Sequence, residues 1–344
     1  MRRTVWLVWL ALLLLTGCGG NAASAAPGAR ERSFFAMDTY MSIRADGATE
    51  ALLARAEEAV LDLERRISVT DGDSQIFALN RDGAGTLDAE TAELLRRGLA
   101  LCAETDGALD LSVYPVLRAW GFTTGDYRVP APAELADLLR LVDYRRVRLD
   151  ADGTAALDPG MQLDLGSVAK GYLGDKLCAL LRDGGVESAL LDLGGNVQAL
   201  GGKPDGSPWR VGVRNPQGEG LLGVLAVRDC AVVTSGGYER CFSDGDGTVY
   251  WHILDPASGM PARSGLLSVT VVGQEGLRCD ALSTALFVMG PERAAAFWRA
   301  HGGFELALVT EDGRLLLTPG LAERFTPAEG LSLRVEILER EGAA

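Results

Sequence analysis

The stretch Leu163–Gly202, LDLGSVAKGYLGDKLCALLRDGGVESALLDLGGNVQALGG, constrains the fold more tightly than any other part of the chain. An apolar strand end, Met161–Leu165, runs through Gly166 and Ser167 into a helix whose Val168, Tyr172, Leu173, Leu177, Leu180 and Leu181 recur at three- and four-residue spacings. Ser167 stands where an N-cap belongs. Gly184-Gly185 stops the helix, Ser188–Leu193 reads as the next strand, and Gly194-Gly195 supplies a tight turn into Val197–Leu200. The expected unit is strand, helix, strand, turn, strand. A helix N-terminus leaves backbone N–H groups unpaired at the positive end of the dipole, and Lys170 adds a formal charge there, so this tip suits a phosphate. Asp164, at the strand end beside it, suits a donor-bearing ligand. An ordinary capped helix with a surface lysine fits this stretch equally well, and the choice depends on the rest of the chain.

At 344 residues and 47% hydrophobic, the chain can bury a substantial core as one large domain or two. Its net charge of −14 argues against nucleic acid as a partner. Arg2-Arg3, the apolar run Val5–Leu15 and Leu15-Thr16-Gly17-Cys18 resemble a bacterial lipoprotein signal, with lipid attached to Cys18 after cleavage. The run falls short of the ~20 residues that span a bilayer. The expectation is therefore a signal at 1–17, a flexible tether at 18–32 and a domain at 33–344, held outside the cytoplasm by a lipid anchor in a bacterial membrane. Cys102, Cys178, Cys230, Cys241 and Cys279 are an odd set without C-x-x-C spacing, which indicates neither a zinc site nor a full disulfide framework. Cys230–Cys241 is the one pair for which export leaves a bridge open.

Along the chain, Phe35–Ala45 reads as a strand with the insertion Met37-Asp38-Thr39, Thr49–Arg66 and Ala89–Glu104 as helices, and Ser68–Asn80 as a polar, turn-rich loop. Thr105–Asp110 leads to Val113-Tyr114-Pro115 and Trp120-Gly121-Phe122, turn and aromatic residues that suit either a flat ligand or a core cover. Ala133–Val142 is a short helix. Trp209–Val213, Gly223–Val227, Ala231–Thr234, Thr248–Leu254 and Leu266–Gly273 follow as strands, then helices at Leu277–Met289 and Ala294–Ala300. A hairpin over Glu305–Leu317, turning at Glu311-Asp312-Gly313, closes the domain. Consecutive strands on short turns pair antiparallel, so the fold class is α+β, a mixed and largely antiparallel sheet with packed helices.

Asp280 and Thr284 lie four apart on an otherwise apolar helix and so share a face. Two oxygen side chains on one face suit Mg²⁺, which takes oxygen ligands and keeps places for water and phosphate. A carboxylate stabilising the helix dipole, with Thr284 bonded to its own backbone, is the competing account of the same pair. HExxH, G-x-x-x-x-G-K-[ST] and G-x-S-x-G are absent. Ser167-Val168-Ala169-Lys170 has the S-x-x-K form of penicillin-binding proteins, but Lys203 is followed by Pro204-Asp205 and no S-D-N occurs.

Ala36-Met37-Asp38-Thr39, Asp106–Asp110 with Trp120-Gly121-Phe122, Leu163–Tyr172, Thr234-Ser235-Gly236 with Tyr238 and Arg240, His252–Gly259 and Asp280–Thr284 together resemble the ApbE family of FAD:protein FMN transferases. The resemblance covers about Ser33 to Leu317 and implies a build similar to T-fold proteins. It implies FAD as substrate, Mg²⁺ as cofactor, and FMN joined through a phosphoester to a Thr or Ser of an exported or membrane redox protein. By the same resemblance Met37, Ala108, Leu109, Asp110 and Leu254 border the flavin, and Asp164 and Lys170 contact FAD. Asp280, Thr284 and the Ser167 backbone carbonyl ligate the metal, with Ser283 a weaker candidate, and His252 is the base. Asp38 replaces the commoner Gly of an M-G-T block, and Cys241 stands where an aromatic residue is frequent. The alternatives are an FAD pyrophosphatase that uses water, and a flavin-binding lipoprotein without activity; both enzymes need metal and the carrier does not.

Overall fold

A computed structural model describes residues 28–340; the signal, Cys18 and the first part of the tether lie outside them. β1 (Ala29–Ala36) and β2 (Thr39–Asp46) form an antiparallel hairpin, with Phe35 opposite Tyr40, where a single interrupted strand was expected. The turn is Met37-Asp38, with φ of 49° and 58°. A two-residue turn with both φ positive matches strand twist and normally advertises itself with Asn-Gly or Asp-Gly, a signal this sequence lacks. The fold also begins at Ala29, ahead of the expected Ser33, because β1 is a sheet edge and its first half is polar, as edges are.

α1 (Glu50–Ile67) starts at the Thr49 cap and buries Leu52, Leu53, Ala56, Val60, Leu63 and Ile67. α2 (Gln75–Asp82) occupies the expected loop; Ser74 caps it and Gly83 ends it, but it buries only Ile76 and Leu79, too few to betray a period. β3 (Ala84–Thr86), α3 (Ala89–Glu104), α4 (Tyr114–Trp120), α5 (Pro132–Leu139), β4 (Arg148–Leu149) and β5 (Thr154–Ala156) follow, the three strands pairing in the order β3-β5-β4. Met161–Leu165 is not a strand. Only Gln162 bridges Val113, because the backbone of Leu163 bonds in both directions to the Asn80 side chain, at 2.6 and 2.8 Å.

The organising stretch then gives α6 (Gly166–Asp183), β6 (Ala189–Leu193) and β7 (Asn196–Leu200). Beyond it run β8 (Trp209–Arg214), β9 (Leu221–Val227), β10 (Cys230–Gly236), β11 (Cys241–Ser243), β12 (Val249–Trp251) and β13 (Leu266–Gly273). The expected strand Thr248–Leu254 is cut short, since Leu254 pairs only with Pro261. α7 (Gly276–Met289), α8 (Pro291–His301), β14 (Phe304–Thr310) and β15 (Arg314–Leu317) match expectation. The fold does not close there: α9 (Pro319–Ala322), β16 (Phe325–Pro327) and β17 (Arg334–Ile337) continue it.

The main sheet runs β1-β2-β6-β7-β10-β13-β14-β15-β17, antiparallel throughout except for β15 and β17. This is the expected mixed, largely antiparallel α+β architecture. One sheet face packs on α1, α3, α6 and α7. The other is covered in part by the small sheet β16-β9-β8 through Trp209, Val211 and Leu225. A separate apolar cluster joins Val116, Trp120, Phe122 and Leu135 to Leu254. The five described cysteines are free, four buried and Cys241 exposed. Among the described residues no helix is long and apolar enough to cross a membrane.

Candidate active site

A cleft of about 580 Å³ opens where the β1–β2 and β6–β7 turns, the first turns of α6, the end of β10 and the face of α7 converge. Met37, Ala108, Leu109, Asp110, Asp164, Ser167, Lys170, His252, Leu254, Asp280 and Thr284 all line it. Residues expected from five separate stretches of chain thus meet around one space.

The polar wall is built by α6 and α7. Helix α6 begins at Gly166, so Ser167 is its second residue and caps nothing; the Asp164 carboxylate instead accepts from Gly166 N–H at 2.6 Å. The helices cross at Gly171 and Gly276, where a Cβ on Gly171 would lie 2.2 Å from the Gly276 carbonyl oxygen. That approach lets Asp280 Oδ2 accept from Gly171 N–H at 2.8 Å. In a regular helix this N–H belongs to the Ser167 carbonyl, so the carboxylate competes with that oxygen for the donor. Asp175 secures the crossing from α6, accepting from Gly276 N–H at 2.6 Å and Leu277 N–H at 3.0 Å, and so caps α7.

Asp280 is 5% exposed and sits in the fifth position of α7, which rules out a simple terminal cap. Burial pushes its carboxyl above the usual range, against the opposing pull of Lys170, Gly171 N–H and Asn196. Asp164 is raised likewise by burial and held back by Gly166 N–H, Arg240 and Lys170. Arg240 answers Asp164, but Asp280 has only Lys170, which it shares with Asp164, so a hard cation would find its place beside Asp280. Ser283, the weaker expected ligand, is not at the cleft. It is fully buried, and its hydroxyl lies 2.8 Å from both the Asp280 carbonyl and Ser235 Oγ, so its hydrogen-bonding capacity is used internally. Among the described residues no three His, Cys, Asp or Glu side chains cluster as a metal site. A cation here would rest on Asp280, Thr284, backbone oxygen and the ligand's own phosphates, a set that suits Mg²⁺.

The opposite wall carries His252, half-buried just after β12. Its Nδ1 is 3.3 Å from the Arg240 carbonyl. A carbonyl only accepts, so Nδ1 holds the proton and Nε2 presents the lone pair. Desolvation, with the charges of Arg240 and Lys170, pushes the imidazole down to about 4. The ring meets Phe122 edge to face at 6.4 Å. Met37, Ala108, Leu109, Val113 and Leu254 give the cleft an apolar wall fit for a flat ring. Asp110 also faces the cleft, but its oxygens are engaged by Ser112 N–H and Oγ and by Tyr144 N–H, which fixes the loop.

Two cleft residues carry features that sequence reasoning missed. Arg240 pairs with Asp38 at 3.6 Å and links the β1–β2 turn to the far rim. Asn196, first residue of β7, is 1% exposed, and neither amide atom has a protein hydrogen-bond partner. The only sequence signal was a polar residue between a Gly-Gly turn and an apolar strand.

The sequence pattern of the ApbE family matches residues 37–308. The chain is 33% identical to the FAD:protein FMN transferase of Treponema pallidum (strain Nichols), over 93% of this chain and 95% of that protein. It is 34% identical to one from Klebsiella pneumoniae (strain 342), over 81% and 89%. Among solved structures, the ApbE protein of Thermotoga maritima superposes with a TM-score of 0.80 at 32% identity, covering 87% of this chain and 99% of that one. The apo form of the Pseudomonas stutzeri flavinyl transferase ApbE gives 0.77 at 30% identity, covering 87% and 98%.

Proposed function

This chain belongs to the ApbE family, and from that premise we propose that it is an FAD:protein FMN transferase that moves FMN from FAD to a Thr or Ser hydroxyl of a redox protein. The reading extends to Mg²⁺ as cofactor, to an exported or membrane-bound acceptor, and to an enzyme held outside the cytoplasm by lipid on Cys18. The observation that carries it is the meeting, in one cleft, of a buried carboxylate with Thr284, a lysine-bearing helix tip and a neutral histidine.

In this reading the flavin lies against Met37, Leu109 and Leu254, and the diphosphate reaches the tip of α6, where the positive end of the helix dipole and Lys170 hold its charge. Asp280, Thr284 and the Ser167 carbonyl hold the cation. When bound, Mg²⁺ neutralises the diphosphate and the departing AMP. The acceptor hydroxyl attacks the FMN-side phosphorus, the bond to the AMP phosphate breaks, and the hydroxyl proton passes to His252 Nε2. An imidazole pushed down to about 4 is neutral at physiological pH and thus holds an open lone pair. Half-burial of His252 leaves a side from which a protein segment can approach.

The test supplies FAD, Mg²⁺ and a Thr-containing acceptor and follows both linked and free FMN. Protein-linked FMN with equal AMP is the expected result. Free FMN and AMP with no labelled acceptor, across several acceptors, would make the enzyme a pyrophosphatase.

A further inference from the structure

A backbone carbonyl only accepts hydrogen bonds, and a serine hydroxyl has one proton to give. Those two facts fix the direction of a chain of hydroxyls that runs from the core to the cleft. Ser283 is fully buried, and its Oγ lies 2.8 Å from the Asp280 carbonyl and 2.8 Å from Ser235 Oγ. The carbonyl takes the Ser283 proton, so in the contact between the two serines Ser235 is the donor. Ser235, half-buried near the end of β10, lines the cleft, and with its one proton turned inward it offers the cleft lone pairs alone. The next hydroxyl outward is Thr284, also half-buried and lining the cleft, whose Oγ1 is 3.5 Å from Ser235 Oγ. The Asp280 carbonyl, where a threonine one helical turn on can send its proton, already carries the proton of Ser283. Among the described residues Ser235 is the one hydrogen-bond partner of the Thr284 hydroxyl, and it can only accept.

We propose that Ser235 is a positioning residue of the cation site: it accepts the Thr284 proton and so turns the Thr284 lone pairs toward a divalent cation held with Asp280. The inference rests on the cation dependence in the proposed function and adds to it a residue that acts through a ligand rather than as one. A threonine hydroxyl ligates through a lone pair, and a proton on that side would be repelled by the metal. An acceptor behind the ligand removes the wrong orientation in advance, which is the part that outer hydrogen-bond partners play at metal sites. At 3.5 Å the contact is long for two hydroxyls. A cation on Thr284 polarises its O–H into a stronger donor and draws the pair together.

The experiment titrates metal-free protein with Mn²⁺, reading free Mn²⁺ by electron paramagnetic resonance, and records the thermal unfolding of the same metal-free samples. Ser235→Ala should weaken Mn²⁺ binding by about 10–100-fold. Thr284→Val should weaken it at least as much, and the double variant no further than Thr284→Val alone, because Ser235 acts only through that hydroxyl. Ser283→Ala removes a buried hydroxyl that is no ligand, yet it should also weaken Mn²⁺ binding, since it frees the Ser235 proton to turn toward Thr284. Unchanged Mn²⁺ affinity in Ser235→Ala overturns the inference, and with a lowered metal-free melting temperature it would make the hydroxyl chain structural only. Additive losses in the double variant also overturn it, by making Ser235 a ligand in its own right, as does a folded Ser283→Ala that binds Mn²⁺ like wild type. Ser235→Ala and the double variant decide the question even where the buried Ser283→Ala does not fold. Wild-type protein that binds no Mn²⁺ overturns it too. Protein whose Mn²⁺ binding depends on Ser235 but which transfers no FMN refutes the proposed activity and leaves this assignment standing.

Discussion

The two walls of the cleft are built on opposite principles. The α6–α7 wall belongs to the main core: its helices cross at backbone contact, Asp175 caps α7 and Gly171 N–H reaches Asp280. The His252 wall hangs from a two-stranded ribbon, β11 and β12, of three residues each. That ribbon is held by rings rather than by the sheet. Phe242 stacks on Tyr127 at 5.1 Å and on Tyr250 at 5.4 Å, and Trp120 meets Tyr250 at 5.1 Å. The Asp38–Arg240 pair, with both side chains largely in water, adds little. The difference teaches that the groups assigned to charge are fixed by the fold, while the group assigned to the proton is fixed by local side-chain packing.

Damage to the first wall should therefore spread into stability, and damage to the second should stay in the chemistry. The largest effect is expected of Gly171→Val. Its side chain would meet the Gly276 carbonyl and force the helices apart, costing about 3 kcal/mol, read as a lower urea midpoint, together with lost turnover. Native stability in this variant would break the comparison. Asp280→Ala comes next. It should reduce turnover by more than ~10²–10³-fold and weaken FAD binding while circular dichroism stays native, because α7 keeps its apolar face. Chelator should do the same reversibly, and full activity of the variant in EDTA would remove the metal from the mechanism.

His252→Ala should keep FAD affinity and melting temperature and lose FMN transfer by about 10²–10⁴-fold. It should also change the acid stability profile in a defined direction. Between about pH 6.5 and 4 the unfolded imidazole binds a proton that the folded one refuses, so His252 makes the protein lose stability as pH falls through that window. Thermal scans of the variant should show a shallower loss there. The smallest effect is expected of Tyr127→Ala, which removes one stacked ring at about 1 kcal/mol and should lower transfer by less than ~10-fold with FAD affinity intact. A fall in FAD binding in that variant would mean the walls are coupled.

The same division governs what was legible in the sequence. The first wall could be read directly: a 3.6-residue period gave α6 and α7, glycines marked the β6–β7 turn, and Asp280 and Thr284 stood out as oxygens on an apolar helix. The second wall could not, because strands of three residues carry no period, and His252 gained a role only through resemblance. Asp38 at positive φ hid the first hairpin, since its turn lacks the glycine that usually marks one. Local patterns likewise say nothing about long-range partners. Asn80 claiming the Leu163 backbone, Gly171 serving Asp280 and Asn196 standing unpartnered are facts of packing between distant segments.

The glycine crossing has a consequence for how such a protein can change over generations. Neither Gly171 nor Gly276 can gain a side chain while the other keeps its place, since a Cβ on Gly276 would lie 2.6 Å from the Gly171 carbonyl oxygen. Single-step drift is blocked at both positions, and a double replacement would pass through a damaged intermediate. Thr284 is half-buried and lines the cleft away from that contact, whereas Asp280 is packed into it, its Cβ 2.7 Å from where a Gly171 side chain would begin. The spacing between the two helices and the carboxylate seated in it are therefore bound to evolve together, and Thr284 is the position where exchange meets least resistance.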